Sequence, residues 1–181
     1  MNALDKFSKE QIREITGMID DESHTCHING ETGEVIFLLF DDVVDEWRGF
    51  PNGDEDDGAS DNEPLSWQDE ALAEEEANIA KVNSWGEKHT ILIEKPESRE
   101  AFDVMCAFVQ KSVPEGRLRD DLEKALSRKH PFRNFKAIID NSRFREAWFA
   151  FKQEAIEDYV REKIRKYAQY NEYKSSDNGE L

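Results

Sequence analysis

Long hydrophobic runs are missing from this sequence, and the longest, from Val35 to Phe40, has only six residues. A helix that crosses a bilayer needs about 20 apolar residues, so we expect no membrane span and no membrane partner. The stretch from Met1 to Ile15 has several charges and no apolar core segment, which excludes a secretory signal peptide there. The sequence therefore predicts a cytoplasmic protein.

Cysteine is also scarce, since Cys26 and Cys106 are the only two and no Cys-x-x-Cys pair occurs. Isolated cysteines do not make a zinc site or a disulfide framework, so both are expected to be reduced and mostly buried thiols. The histidines show no metal-binding pattern either, because His24 and His27 point to opposite faces of a predicted strand.

Motifs for metal binding and catalysis are absent as well. The acidic run from Asp54 to Gly58 suggests calcium, but an EF-hand register with Gly58 at position six places Gly53 and Pro64 where ligands are required. No phosphate-binding loop, dinucleotide fingerprint, nucleophile elbow or zinc-protease motif is found. We expect no metal, no cofactor and no catalytic residues, and nothing in the sequence argues for an enzyme.

Basic residues are outnumbered, with 24 Lys and Arg against 41 Asp and Glu, a net charge of -17. That charge opposes long-range attraction to nucleic acid and to anionic membranes. The excess is concentrated between Asp41 and Glu76, which hold 15 acidic residues and one base, so the rest of the chain carries only -3. The segment 41–66 is too poor in apolar residues to offset the entropy of ordering and is predicted to be mobile.

The remaining sequence predicts an α+β fold, with a small antiparallel sheet of about three strands, four to six helices and a helical C-terminal half. Ser8 and Gln11 fit a capping box at the start of a first helix. Strands at 24–28 and 35–40 flank a glycine-containing turn, and 89–94 is the third strand. The length predicts a single domain over 1–170, interrupted by the acidic segment and followed by a disordered tail at 171–181.

Five further helices are predicted after the hairpin. The first runs from Ser66 to about Val82, and the second is capped by Ser98 and is expected to pack its apolar face on the sheet. Two more open at Pro114 and Pro131. The last is capped by Asn141 or Ser142 and is expected to be the most buried, since apolar residues cover well over half its circumference.

The segment from Lys129 to Phe151 carries two specific aromatic patterns, Phe132-Arg133-x-Phe135-Lys136 and Trp148-Phe149-x-Phe151. With the order of elements, these patterns resemble the uncharacterised bacterial protein family numbered one hundred and fifty-eight in the UPF series. The resemblance covers most of the chain outside the acidic region, but it implies no activity, because the family has none established. The chain has His130-Pro131 where the family tends to have glycine and a small residue, and Asn134 where it has a second arginine.

Six bases face a single acid, Asp140, within the eighteen residues from 128 to 145. On a helical wheel Phe132 and Phe135 share one side with Ile138 and Ile139, so we expect these aromatics in the core and the bases outside. The bases are the candidate site for an anion or a partner: Arg128, Lys129, Arg133, Lys136, Arg143 and Arg145.

Three interpretations of these bases remain open. In the first, they form a solvated helix face. In the second, they bind phosphate or nucleic acid, because arginines and free backbone N–H groups at a helix start favour anions. In the third, the acidic segment of the same chain covers them and a competing partner releases it. The function most consistent with the sequence is a non-catalytic binding or regulatory module with a protein partner. The first alternative is RNA or DNA binding through 128–145, which the overall charge disfavours. The second alternative is an enzyme whose site is not visible in the sequence.

Overall fold

The computed structural model describes residues 7–20, 24–40, 44 and 67–177, which form six helices and three strands. The predicted α+β fold, with its three-stranded antiparallel sheet and helical C-terminal half, is confirmed. In chain order the elements are α1 Lys9–Asp20, β1 His24–Asn29, β2 Val35–Leu39, α2 Trp67–Trp85, β3 Thr90–Ile93, α3 Ser98–Ser112, α4 Arg117–Leu126, α5 Pro131–Ile139 and α6 Arg145–Asp177.

The chain divides into two compact units. The sheet unit contains the described residues of 1–95 and 162–181, and the helical unit is 96–161. The single domain over 1–170 stays a prediction. The contacts within each unit define that unit by itself and do not test whether the two form one domain. Apart from Val44, the acidic segment 41–66 lies outside the described residues.

The C-terminal boundary differs from the predicted one. A disordered tail is expected from 171, whereas α6 continues to Asp177. Each residue added to an existing helix gains a hydrogen bond without a new nucleation cost, so a polar sequence can prolong it. Residues 178–181 lie outside the described part of the chain.

The first helix of the sheet unit begins at the predicted capping box. The backbone N–H of Gln11 donates to Ser8 Oγ at 3.1 Å, and the N–H of Ser8 donates to Gln11 Oε1 at 2.9 Å. Two N–H groups that a helix start leaves without helical partners are thereby satisfied. Ile12, Ile15 and Ile19 then bury the apolar face of α1.

The predicted hairpin and third strand are confirmed, with strand order β2-β1-β3 and antiparallel pairing throughout. Cys26 pairs with Ile93 and Ile28 pairs with Ile91, and all four side chains are buried. Because side chains alternate along a strand, these four residues share one face. That face forms part of the core of the sheet unit.

Helix α2 contributes one buried acid that no sequence pattern indicates. Glu75 is 7 % exposed, and its Oε1 accepts a hydrogen bond from the N–H of Leu39 at 2.8 Å. Since β2 is an edge strand, some of its N–H groups have no strand partner, and Glu75 supplies an acceptor for one of them. The acidic character of α2 therefore includes a structural contact.

The helical unit is built on a core from α3, α4 and α5. Met105, Phe108 and Val109 of α3 pack with Leu122 of α4 and Phe135 of α5. The prediction that the apolar face of α3 packs on the sheet is wrong, because this face joins a helical core. A period of 3.6 residues defines which face is buried but not the element that covers it.

Two helix starts in this unit differ from the predicted ones. The helix expected to open at Pro114 begins at Arg117, because Gly116 adopts φ 143° and precedes the first helical turn. The helix expected to be capped by Asn141 or Ser142 begins at Arg145 as α6. Ser142 lies in the preceding turn, where its Oγ accepts a hydrogen bond from the N–H of Phe144 at 3.1 Å. The start of α5 at Pro131 is confirmed. No described helix is both long enough and apolar enough to cross a membrane.

Candidate binding surface of the helical unit

The charge of the chain is unevenly divided between the two units. Residues 96–161 hold 13 bases and 12 acids, a net charge of +1, which leaves -18 for the rest of the chain. The predicted basic segment therefore belongs to a unit that is close to neutral. An anion that approaches this unit meets less local repulsion than the total charge of -17 indicates.

Four of the six candidate bases lie around α5 and are exposed. Arg128 and Lys129 occupy the connection between α4 and α5, and Arg133 and Lys136 lie on α5. Among the residues that the structure describes, no carboxylate lies within 4.0 Å of these four side chains. We call these four residues the basic surface.

Other arginines of the same unit do have carboxylate partners. Arg119 Nε lies 3.0 Å from Glu123 Oε1, and Arg161 Nη2 lies 2.9 Å from Glu157 Oε2. Both pairs have i, i+4 spacing, which brings the two side chains together on one helix face. The basic surface differs from them because none of its four bases has such a partner within the described part of the chain.

The remaining two candidates, Arg143 and Arg145, are already in contact with neighbours. Arg145 lies 2.9 Å from Glu146 Oε1 and 3.8 Å from Asp140 Oδ1, and its guanidinium stacks 4.7 Å from the Phe149 ring centroid. Arg143 stacks on Phe144 at 5.1 Å. These two arginines follow the C-terminal end of α5, about 12 Å of helix away from its start. The structure thus separates the six predicted residues into two groups.

Phe132 gives the basic surface an apolar component. The expectation that Phe132 belongs to the core is wrong, since it is 43 % exposed, whereas Phe135 on the next turn is 2 % exposed. Phe132 lies in the first turn of α5, where its ring contacts Phe102 edge-to-face at 6.5 Å. Lys136 follows Phe132 by four residues, so the two share one side of the helix.

Neither thiol is chemically activated. Burial, with a smaller effect from Glu14, raises the pKa of Cys26 to about 12. Burial followed by the charge of Asp103 also raises the pKa of Cys106, which is half-buried rather than fully buried. Both cysteines are protonated at neutral pH, and the thiol is a poor nucleophile and metal ligand. Within the described ranges, no three His, Cys, Asp or Glu side chains gather as metal ligands.

His27, on the central strand, has a buried nitrogen without a hydrogen-bond partner in the described part of the chain. Its Nε2 lies 3.0 Å from Thr25 Oγ1, and the Thr25 hydroxyl donates to the Leu38 carbonyl at 3.4 Å. Because the Thr25 hydroxyl already donates its hydrogen to Leu38, Nε2 of His27 carries the ring proton and donates to the Thr25 oxygen. Nδ1 is then a buried acceptor. Burial lowers the pKa of His27 and outweighs the opposing attraction of Glu94.

The unfolding free energy is expected to depend on His27 protonation. The pKa of His27 in the folded chain lies below its ordinary value of 6.5, so below pH 6.5 the unfolded state binds a proton first. Stability should therefore fall as the pH drops below 6.5, by at most about 1.4 kcal/mol per pH unit for this one group. Urea unfolding of wild type and His27→Gln from neutral to mildly acidic pH should show the larger loss in wild type. Parallel curves would contradict the assignment.

One of the engaged bases, Arg145, has a signal in the sequence. Arg145 is followed directly by Glu146 and, four residues on, by Phe149, and both neighbours contact it. The i, i+4 spacing of Arg145 and Phe149 is visible in the sequence and favours contact between these two side chains on one helix face. The same spacing is not sufficient for Lys136, which has Asp140 four residues on and no described ion pair with it. Arg133 has no acid and no Phe, Trp or Tyr three or four positions away on either side, which distinguishes it from Arg145 in the sequence.

Comparison of the chain with models of known protein families, with curated proteins and with solved structures finds no match. The resemblance to the uncharacterised bacterial family therefore stays a prediction. The roles considered for the basic surface rest on the geometry of this chain alone.

Proposed function

We propose that this chain is a non-catalytic binding module that holds an acidic protein partner on the basic surface of its helical unit. The observation that carries the proposal is the lack of described carboxylate partners at Arg128, Lys129, Arg133 and Lys136, in a unit whose other arginines include paired ones. A ligand carboxylate can bind these bases without breaking any ion pair that the described residues make. Arginine adds a fork of donors that fits carboxylate oxygens at two points.

The neighbouring aromatic residue supports a protein ligand. Interfaces between proteins are enriched in aromatic residues and arginine, and Phe132 exposes part of its ring on the side of α5 that carries Lys136. The chain outside the helical unit carries -18, which repels a nucleic acid with its closely spaced phosphates more strongly than a short acidic peptide. A cytoplasmic location and a regulatory role belong to the same proposal and rest on the sequence.

Binding of single-stranded RNA or DNA is the second candidate, and the same exposed Phe132 favours it. Bases stack on exposed aromatic rings in such complexes, while Lys and Arg contact the backbone. Gel-shift assays with single- and double-stranded oligonucleotides at low salt test this candidate. Oligonucleotide binding that weakens steeply with salt and is lost in Arg133→Glu would support this candidate. Higher affinity after deletion of 54–63 would indicate that the acidic segment competes with the oligonucleotide.

An enzyme requires ionisable groups that converge in a pocket. In the part of the chain that the structure describes, a cleft between α3 and α4 is lined mainly by apolar side chains and contains one carboxylate, that of Glu123. That carboxylate pairs with Arg119 at 3.0 Å. The cleft supplies no acid and base pair for general catalysis, so binding is the better proposal.

A matched pair of variants tests the proposed function. Arg133→Glu reverses one charge of the basic surface, whereas Arg117→Glu makes the same change at an exposed arginine outside it. In capture experiments from the native host, we expect wild type and Arg117→Glu to retain the same acidic partner. The amount of this partner recovered with Arg133→Glu should be about tenfold lower, because one charge-assisted pair is replaced by a repulsion. Equal recovery by both variants would contradict the proposal.

A further inference from the structure

We infer that the cleft between α3 and α4 takes one apolar side chain of the acidic partner, so that the cleft and the basic surface together form a single peptide-binding site. This inference rests on the proposed function and adds a specificity to it. The partner segment would carry several Asp or Glu residues around one Leu, Met or Phe. Charge would hold it on the bases, and the apolar residue would fix its register.

The cleft has the size and the lining for one side chain. Its volume is about 270 Å³, and Phe102, Cys106, Val109 and Leu126 form its apolar part. Sites for drug-sized molecules run from roughly 300 to 1,000 Å³, so this cleft lies below that range. A single anchor side chain in a small apolar pocket is a common way for one protein to hold another.

The cleft lies close to the basic surface along the chain. Ser127, at the cleft rim, directly precedes Arg128 and Lys129, and consecutive Cα atoms are about 3.8 Å apart. On the other side, the ring of Phe102 that lines the cleft contacts Phe132, which directly precedes Arg133. An extended peptide therefore needs to span only a few residues to reach both.

The charges around the cleft favour an acidic ligand. Glu123 at the rim is held by Arg119 Nε at 3.0 Å, which offsets its negative charge. Asp103 of α3 lies close enough to raise the pKa of Cys106, which lines the cleft, after the larger effect of burial. The basic surface has four bases, and none of them has a carboxylate partner in the described ranges, so these bases outnumber the two acids. The balance is positive, and this charge complementarity selects an acidic peptide as the occupant.

A pair of synthetic peptides separates the two parts of the site. Both are fluorescein-labelled and contain six Glu residues, and they differ at one central position, which is Leu in one and Ala in the other. Fluorescence anisotropy with the full-length protein should give at least about tenfold tighter binding for the Leu peptide, since a buried leucine side chain adds affinity that an alanine lacks. Arg133→Glu should weaken both peptides, and Arg117→Glu neither.

Two blocking variants test the cleft itself. Cys106→Phe introduces a bulky ring at a half-buried lining position, and Ser127→Trp introduces one at an exposed lining position. Each should reduce the affinity of the Leu peptide to that of the Ala peptide. Circular dichroism checks folding, and if Cys106→Phe does not fold, Ser127→Trp decides.

The outcomes separate the inference from the proposed function. If both peptides bind wild type with equal affinity and Arg133→Glu binds them more weakly, the cleft is not a side-chain site. The proposed function of the basic surface would still be supported. A tenfold preference for the Leu peptide that neither folded blocking variant removes would also overturn it. Failure of wild type to bind either peptide, or binding unaffected by Arg133→Glu, would overturn the proposed function and this inference together.

Discussion

Replacement of Phe108 by alanine is expected to lower the free energy of unfolding by about 4 kcal/mol, within the range for large core aromatics. Phe108 is fully buried, and its ring meets those of Phe135, Trp148 and Phe151 edge-to-face, with centroids 6.5, 5.2 and 5.5 Å apart. Truncation leaves a cavity and removes three aromatic pairs, each worth about 0.5 to 1.5 kcal/mol beyond area burial. Urea unfolding followed by circular dichroism should show a lower midpoint at an unchanged slope.

The control for this prediction is Phe132→Ala. Phe132 is 43 % exposed and contacts the ring of Phe102. Its truncation should cost less than about 1.5 kcal/mol, since only part of its area is buried. A loss as large as that of Phe108→Ala would show that Phe132 is a core residue, and the mixed apolar and basic surface would then lose its aromatic component.

Replacement of Gly30 by alanine should destabilise the sheet unit by about 2 kcal/mol. A Cβ at this position would overlap the ring of Tyr167, whose hydroxyl donates to the Lys88 carbonyl at 2.8 Å. The ring must swing away, which breaks that hydrogen bond and exposes part of its area. The N–H of Gly30 also donates to the His89 carbonyl at 2.7 Å, so the backbone is held in place and cannot easily give way.

Gly17→Ala is the matched control within the same unit. Gly17 lies on the exposed side of α1, and an added Cβ would meet nothing within 4 Å. Alanine in a helix interior is more favourable than glycine by about 0.5 to 1 kcal/mol, so this variant should gain stability. Thermal unfolding of the two variants should move the midpoint in opposite directions. A gain for Gly30→Ala would contradict the packing of Tyr167 on the turn.

Local signals in the sequence predicted many elements correctly. The capping pair Ser8 and Gln11, the hairpin and the helix start at Pro131 all depend on residues close in the chain, and each is confirmed. The errors arise where the outcome depends on distant residues. The apolar face of α3 is defined by its own spacing, but its partners come from α4, α5 and the start of α6.

The candidate surface shows the same division between local and distant information. Base enrichment between 128 and 145 is evident from the sequence, and Arg128, Lys129, Arg133 and Lys136 are exposed as expected. Whether a base is engaged depends on how the helices place neighbouring acids and aromatic rings. Arg145 has carboxylate partners and Arg143 stacks on Phe144, whereas the other four bases have no carboxylate partner among the described residues. The exposure of Phe132 was missed because its wheel position is apolar, although it lies one turn before the buried Phe135.

A salt titration of the Ala-containing acidic peptide tests the basic surface most directly. Its dissociation constant is measured by fluorescence anisotropy for wild type, Arg133→Glu and Arg117→Glu at salt concentrations from low to physiological. We expect affinity to fall with salt for wild type and Arg117→Glu along the same line, and Arg133→Glu to bind about tenfold more weakly at low salt with a shallower dependence. Superimposed lines for all three proteins would contradict the assignment of the binding surface to Arg128, Lys129, Arg133 and Lys136.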